Sequence, residues 1–197
     1  MIYDAILYGK LSGCFTIMDA TSRHNLPAGV SDTRLPSWIL PNVDDSTRKL
    51  FRPDLLIIEG LMTDFVSAVN IHDPVVLGNI QRTCTIHIVE VGYTSDSSYT
   101  TSLNRKHFQH LALRRCLIDA GWRVHHSRDF PYHILLFSFT GYIFSPCREV
   151  LSILGIDSLS SIKLRRKLVV HAVHFVFSIV QLRRHLEWSF DSDIDPP

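Results

Sequence analysis

Two β-favouring runs constrain this chain more than any other feature, because each carries a carboxylate where a buried strand tolerates one least. Leu55-Leu56-Ile57-Ile58 is a solid apolar run, opened by Arg52-Pro53-Asp54 and closed by Glu59-Gly60. Its length and flanks predict a buried strand, since proline is accepted at a strand's first residues. Thr85-Ile86-His87-Ile88-Val89-Glu90-Val91-Gly92-Tyr93 has high β-propensity and predicts a second strand. Glu90 lies within it. An isolated carboxylate in an apolar setting is costly, so such an acid must be paired, protonated or bound to a metal ion.

The rest of the chain is organised around these runs. Residues 2–8 and 14–19 favour β structure and flank a glycine-bearing loop, which predicts a hairpin. Residues 20–50 are rich in Ser, Pro, Asp, Asn and Arg and predict a long irregular connection. A Pro- and Asn-containing insert separates the two runs. Ser102 is placed to cap a helix running to about Ala120, with Gly121 as its stop. The inner stripe of that helix is Leu103, Lys106, Gln109/His110, Leu113, Cys116/Leu117 and Ala120. Residues 122–125 and 133–139 predict two further strands, with a turn or bulge at Gly141. A short helix over 146–154 stops at Gly155, and a long one runs from Ser158 to about Phe190. The order of elements predicts an α/β fold: a mixed central β-sheet flanked by helices, with a long C-terminal helix. Residues 1–157 form the core, 158–190 a helical extension and 191–197 a disordered acidic tail.

Composition narrows the class. The 197 residues are 46% hydrophobic and 20% charged, as expected of one globular domain. The four cysteines, Cys14, Cys84, Cys116 and Cys147, lie far apart without a CxxC pair. Neither a disulfide framework nor a zinc ribbon is encoded, and an intracellular, reducing compartment, nuclear or cytoplasmic, is expected. The longest apolar stretch, residues 168–182, contains His171, His174 and Gln181 and is too short to span a bilayer. It predicts a buried or docking helix, and no membrane partner.

Charge is unevenly spread. The first 98 residues carry 7 basic against 11 acidic side chains, whereas residues 99–190 carry 13 against 5. An acidic front half joined to a basic back half is compatible with a metal site beside a polyanion-binding surface. The candidates for phosphate contacts are Arg114, Arg115, Lys163, Arg165, Arg166, Lys167, Arg183 and Arg184. Such contacts hold a duplex in register without reading its sequence.

Asp54 stands at the mouth of one predicted strand and Glu90 near the end of the next. Two carboxylates at the same end of neighbouring strands offset their burial by sharing a divalent cation. Mg²⁺ takes oxygen ligands and keeps several waters, so two acids and one backbone carbonyl, here that of Val91, suffice. Lys106, on the sheet-facing stripe of the following helix, is placed to steady a hydroxide nucleophile or developing phosphate charge, with Gln109 to position it. Among the eleven histidines, His107/His110 and His171/His174 each share a helix face. Neither pair has a nearby Cys or carboxylate to complete a tetrahedral set, so no zinc site is assigned. His125 and His126 are adjacent, so a strand sends their rings to opposite faces, and they receive no role.

Arg52-Pro53-Asp54 before an apolar strand, Ile88 to Tyr93 as the next strand and Lys106-x-x-Gln109-His110 on the following helix together resemble a PD-(D/E)xK nuclease core. More narrowly, the chain is similar to the restriction-like endonuclease portions of non-LTR retrotransposon proteins and to related reverse-transcriptase-like reading frames. Met18-Asp19-Ala20 and residues 35–41 share that likeness, which covers about residues 12–155. The resemblance implies a restriction-endonuclease-like fold that nicks DNA with Mg²⁺ or Mn²⁺. It implies Asp54 and Glu90 as metal ligands and Lys106 as a migrated catalytic lysine, because Gly92 stands where that superfamily usually carries lysine. The reverse transcriptase part of a longer element is the implied protein partner. A catalytically inactive remnant of the same fold, binding nucleic acid or protein through its basic helices, is the alternative. A protein-interaction module docking through residues 168–182 is a third.

Overall fold

A ten-residue strand, β3 (Thr85–Thr94), is the axis of the molecule and is buried at five consecutive positions from Ile86 to Glu90. The computed structural model describes residues 11, 13–19, 35–126, 129–156, 159, 161–167, 169, 170, 173, 174, 177, 178, 180 and 181. On one side β3 pairs antiparallel with β2 (Leu55–Met62), which pairs antiparallel with β1 (Cys14–Met18). The first half of the predicted hairpin, residues 2–8, lies outside the described residues. On its other side β3 carries two parallel strands end to end. The short β4 (Arg123–Val124) pairs with Thr85 and Ile86, and β5 (His133–Ser138) with Val89 to Thr94. The result is a five-stranded mixed sheet flanked by helices, an α/β fold.

Helix α1 (Asp45–Arg48) is capped by Asp44, whose carboxylate accepts the Thr47 N–H at 2.9 Å. The insert between β2 and β3 forms α2 (Thr63–Ala68) and α3 (Pro74–Thr83). Asp73 caps α3 by accepting the Val75 and Val76 N–H groups, and Pro74 opens it, where a missing N–H costs nothing. Segment 35–40, expected to be irregular, has no regular structure but plugs the core: Leu35, Trp38, Ile39 and Leu40 are buried. Trp122 Nε1–H donates to the Ile39 carbonyl at 2.8 Å, and its ring lies 6.1 Å from that of Trp38.

The helix expected from Ser102 to Ala120 is two helices, α4 (Tyr99–His107) and α5 (Leu111–Asp119). The cause is a side chain from the start of β5. The Tyr132 hydroxyl donates to the Lys106 carbonyl and accepts the His110 N–H at 3.3 Å. Those two backbone groups are the i→i+4 partners that a continuous helix would join, so the phenol is inserted into the ladder and breaks it. Tyr132→Phe is expected to cost about 1–3 kcal/mol, the desolvation of the stranded His110 N–H, while the Lys106 carbonyl still accepts the Gln109 N–H at 3.2 Å. Urea unfolding measures that cost, and a wild-type midpoint would refute the inserted hydroxyl.

Gly141 takes φ +79°, as its predicted turn requires, and α6 (Ser145–Ile153) follows. Cys147 packs it against β5, where its Sγ accepts the Leu136 N–H at 3.3 Å. Beyond it, residues 161–167 are helical, and the described positions from 169 to 181 continue as helix. The expectation of burial there is corrected: Val169, Val170, Val173, Phe177 and Val180 are exposed, while Leu164 is buried. No helix among the described residues is long and apolar enough to cross a membrane. Residues 182–197, with the predicted tail, lie outside the described residues.

Candidate active site

The register that pairs Leu55 with Val89 sets Asp54 across from Glu90. Opposed residues of an antiparallel pair share a face of the sheet. Asp54 Oδ2 accepts the Val91 N–H at 2.7 Å, which ties its carboxylate to the strand that carries the other acid. Glu90 is almost fully buried, at 3% exposure. One of its oxygens accepts from Lys106 Nζ, and the other is paired with His110 Nε2 at 2.7 Å. Two acids, one lysine and one histidine thus meet at one place on the sheet.

Each side chain arrives there for an identifiable reason. The helix break made by Tyr132 turns His110 inward, where its ring lies 5.5 Å from the phenol, and leaves Gln109 exposed. Lys106 reaches Glu90 across Gly92. A Cβ at that glycine would stand 2.6 Å from Lys106 Cε and 3.1 Å from Leu136 Cδ2, so the missing side chain is the bed in which the lysine lies. Gly92 is therefore what admits a lysine from the helix.

The two carboxyl groups are shifted in opposite directions. Burial pushes the Asp54 carboxyl above its ordinary value; the Val91 N–H pulls it down and the nearby charge of Glu90 pushes it up again. Burial also pushes Glu90 up, but hydrogen bonds from His110 and Lys106 outweigh it and hold that carboxyl below its ordinary value. Neighbouring acids driven apart in this way recur at functional sites, and structural ion-pair networks also produce such shifts.

No family model, curated protein or solved structure matches this chain. The site's chemistry rests on its geometry.

Of the residues expected from the sequence, Asp54, Glu90, Val91 and Lys106 come together. Val91 contributes its N–H to Asp54. Gln109 stands exposed at the break, and His110 takes the place beside Glu90. The stripe held both positions and Gln109 is the one the sequence reading assigns to the lysine; the contact from residue 132 puts His110 there instead. Arg114 is half-buried on α5, Arg115 is exposed, and Lys163, Arg165, Arg166 and Lys167 are exposed on the helical segment 161–167. Arg183 and Arg184 lie outside the described residues. A cleft of about 440 Å³ lined by Ile143, Arg148, Ser152, Ile156, Ile162 and Arg165 includes none of the acids.

Proposed function

We propose that Asp54, Glu90 and Lys106 form a divalent-cation-dependent phosphodiesterase site acting on DNA, in a core of the PD-(D/E)xK nuclease kind. The observation that carries this reading is the convergence of two carboxylates from adjacent strands with a lysine from the next helix. The donors suit a hard cation such as Mg²⁺ or Mn²⁺: they are carboxylate oxygens, and Asp54 leaves Oδ1 uncommitted among the described residues. Bound by Asp54 and Glu90, such an ion supplies an activated water and neutralises phosphate charge.

The chain's own groups do the rest. The Val91 N–H fixes the direction in which Asp54 presents its free oxygen. His110 holds one Glu90 oxygen, so that carboxylate stays oriented while the Lys106 ammonium rests on the other. Lys106 brings a positive charge, in a largely dry setting, to the place where a phosphoryl group gains negative charge. Arg115 and the basic residues between 163 and 167 offer exposed cations to the flanking phosphates of a duplex.

One observation favours the second reading, a binding module without hydrolysis. Both Glu90 oxygens are already engaged, by Lys106 and by His110. A nicking assay on supercoiled plasmid with Mg²⁺ or Mn²⁺ separates the readings. Hydrolysis predicts that Asp54→Ala and Glu90→Ala each lower the rate by about 100-fold or more. Nicking unchanged by both substitutions removes the proposal, and duplex binding without nicking by the wild-type chain selects the second reading.

A further inference from the structure

The sheet face opposite the Asp54–Glu90 site carries a second cluster. His87 lies three residues before Glu90, so strand alternation turns it to the other face. His133 pairs with Val89 and shares that face. His125 follows β4 and its N–H donates to the Ile86 carbonyl at 2.8 Å, which sets it beside His87 while His126 remains exposed. The three rings pack with centroids 4.8 to 5.3 Å apart. One ligand nitrogen from each ring lies within 4.8 Å of the other two.

Glu59 Oε2 stands 2.9 Å from His87 Nε2, and an ionised carboxylate only accepts, so the proton of that ring is on Nε2. His87 Nδ1 then holds a lone pair and lies 3.0 Å from His133 Nε2. His133 is fully buried, and its Nδ1 has no hydrogen-bond partner among the described residues. A fully buried ring nitrogen without a partner among the described residues, beside two further imidazoles, is a group that a bound cation would help to satisfy.

We propose that His87, His125 and His133 are the ligands of a Zn²⁺-type divalent ion, with Glu59 as the carboxylate that orients His87. Imidazole nitrogens suit zinc, whereas Mg²⁺ and Ca²⁺ require oxygen donors. Tetrahedral zinc with bonds of about 2.0–2.1 Å sets its ligand nitrogens roughly 3.3 Å apart, so the rings close by at most about 1.5 Å. A carboxylate on the distal nitrogen of a ligating histidine is the usual outer partner of such a site. The ion ties β3, the residue that follows β4 and the first residue of β5 together across the connection at residues 125–132. It is separate from the oxygen-lined site on the other face.

Zinc titration of the full chain, stripped with chelator, tests the assignment. The expected result is about one Zn²⁺ per chain with a raised melting temperature, and no such shift with Mg²⁺. His125→Gln and His133→Gln are each expected to weaken zinc at least about 100-fold, and Glu59→Gln about 10- to 100-fold. Asp54→Ala leaves zinc affinity unchanged. Should His133→Gln not fold, the less buried His125→Gln and Glu59→Gln decide the matter. No uptake by the wild-type chain, or uptake at the same affinity in both of those variants, overturns the proposal.

Discussion

Glu90→Gln is expected to cost about 3–5 kcal/mol, while Asp54→Asn, on the neighbouring strand, costs little or stabilises the chain. The asymmetry follows from what each acid touches. Glu90 is the counter-charge of Lys106, whose side chain is 13% exposed, and it also accepts from His110. Neutralising it leaves a buried ammonium without its partner. Asp54 is crowded by burial and by the Glu90 charge, and asparagine keeps an oxygen for the Val91 N–H.

The two acids also impose opposite pH dependences on the metal-free chain. Glu90, with its folded pKa below the ordinary 4.5, contributes stability that is present above that value and is lost as pH falls through the depressed pKa. Asp54, with its folded pKa above the ordinary 3.8, favours folding while protonated, and that contribution is lost as pH rises through the raised pKa. Urea unfolding in EDTA checks both. The gain in Asp54→Asn relative to wild type should be largest at neutral pH and shrink toward pH 3.8, whereas the deficit of Glu90→Gln should shrink on acidification. Equal costs for the two substitutions at pH 7 would show that the acids are a symmetrical structural pair.

Gly92→Ala is expected to push the Lys106 ammonium off Glu90 and toward solvent, while Glu90 stays charged and keeps its His110 partner. The new methyl meets the far end of the lysine, which can swing away, and Leu136 Cδ2, which must yield by a few tenths of an ångström. Overpacking of this kind costs about 1–3 kcal/mol. The proposed hydrolysis, which depends on that ammonium, should fall by about 100-fold. Gly78→Ala on α3 is the matched control, since a Cβ there meets nothing within 4 Å. It should stabilise the helix by up to about 1 kcal/mol and leave activity unchanged. A Gly92→Ala crystal structure in which the Lys106 ammonium still rests on Glu90 would contradict the bed described for it.

The contrast between what was legible and what was not can be read residue by residue. Leu55 to Ile58 and Thr85 to Tyr93 form the strands their propensities predict, and the acids placed at their ends meet. The Asp73-Pro74 start of α3 was also written in the chain, as a capping acid before an N1 proline, within an insert read as a connection. Segment 35–40 carried its signal in Leu35, Trp38, Ile39 and Leu40, which a polar composition on either side obscured.

What the chain determined by itself is local: strand and helix propensity, caps, turns at glycine, and the side of a strand on which an acid falls. These depend on residues a few positions apart, so they survive being read in one dimension. The helix break depends on a hydroxyl from Tyr132 entering between Lys106 and His110. The imidazole cluster draws on positions 87, 125 and 133, and the lysine's path depends on an absent side chain at Gly92. Tertiary structure alone decided these, because contacts between distant residues follow from which strands pair and in what register. Once β2, β4 and β5 are laid against β3, alternation sends two acids to one face and three histidines to the other.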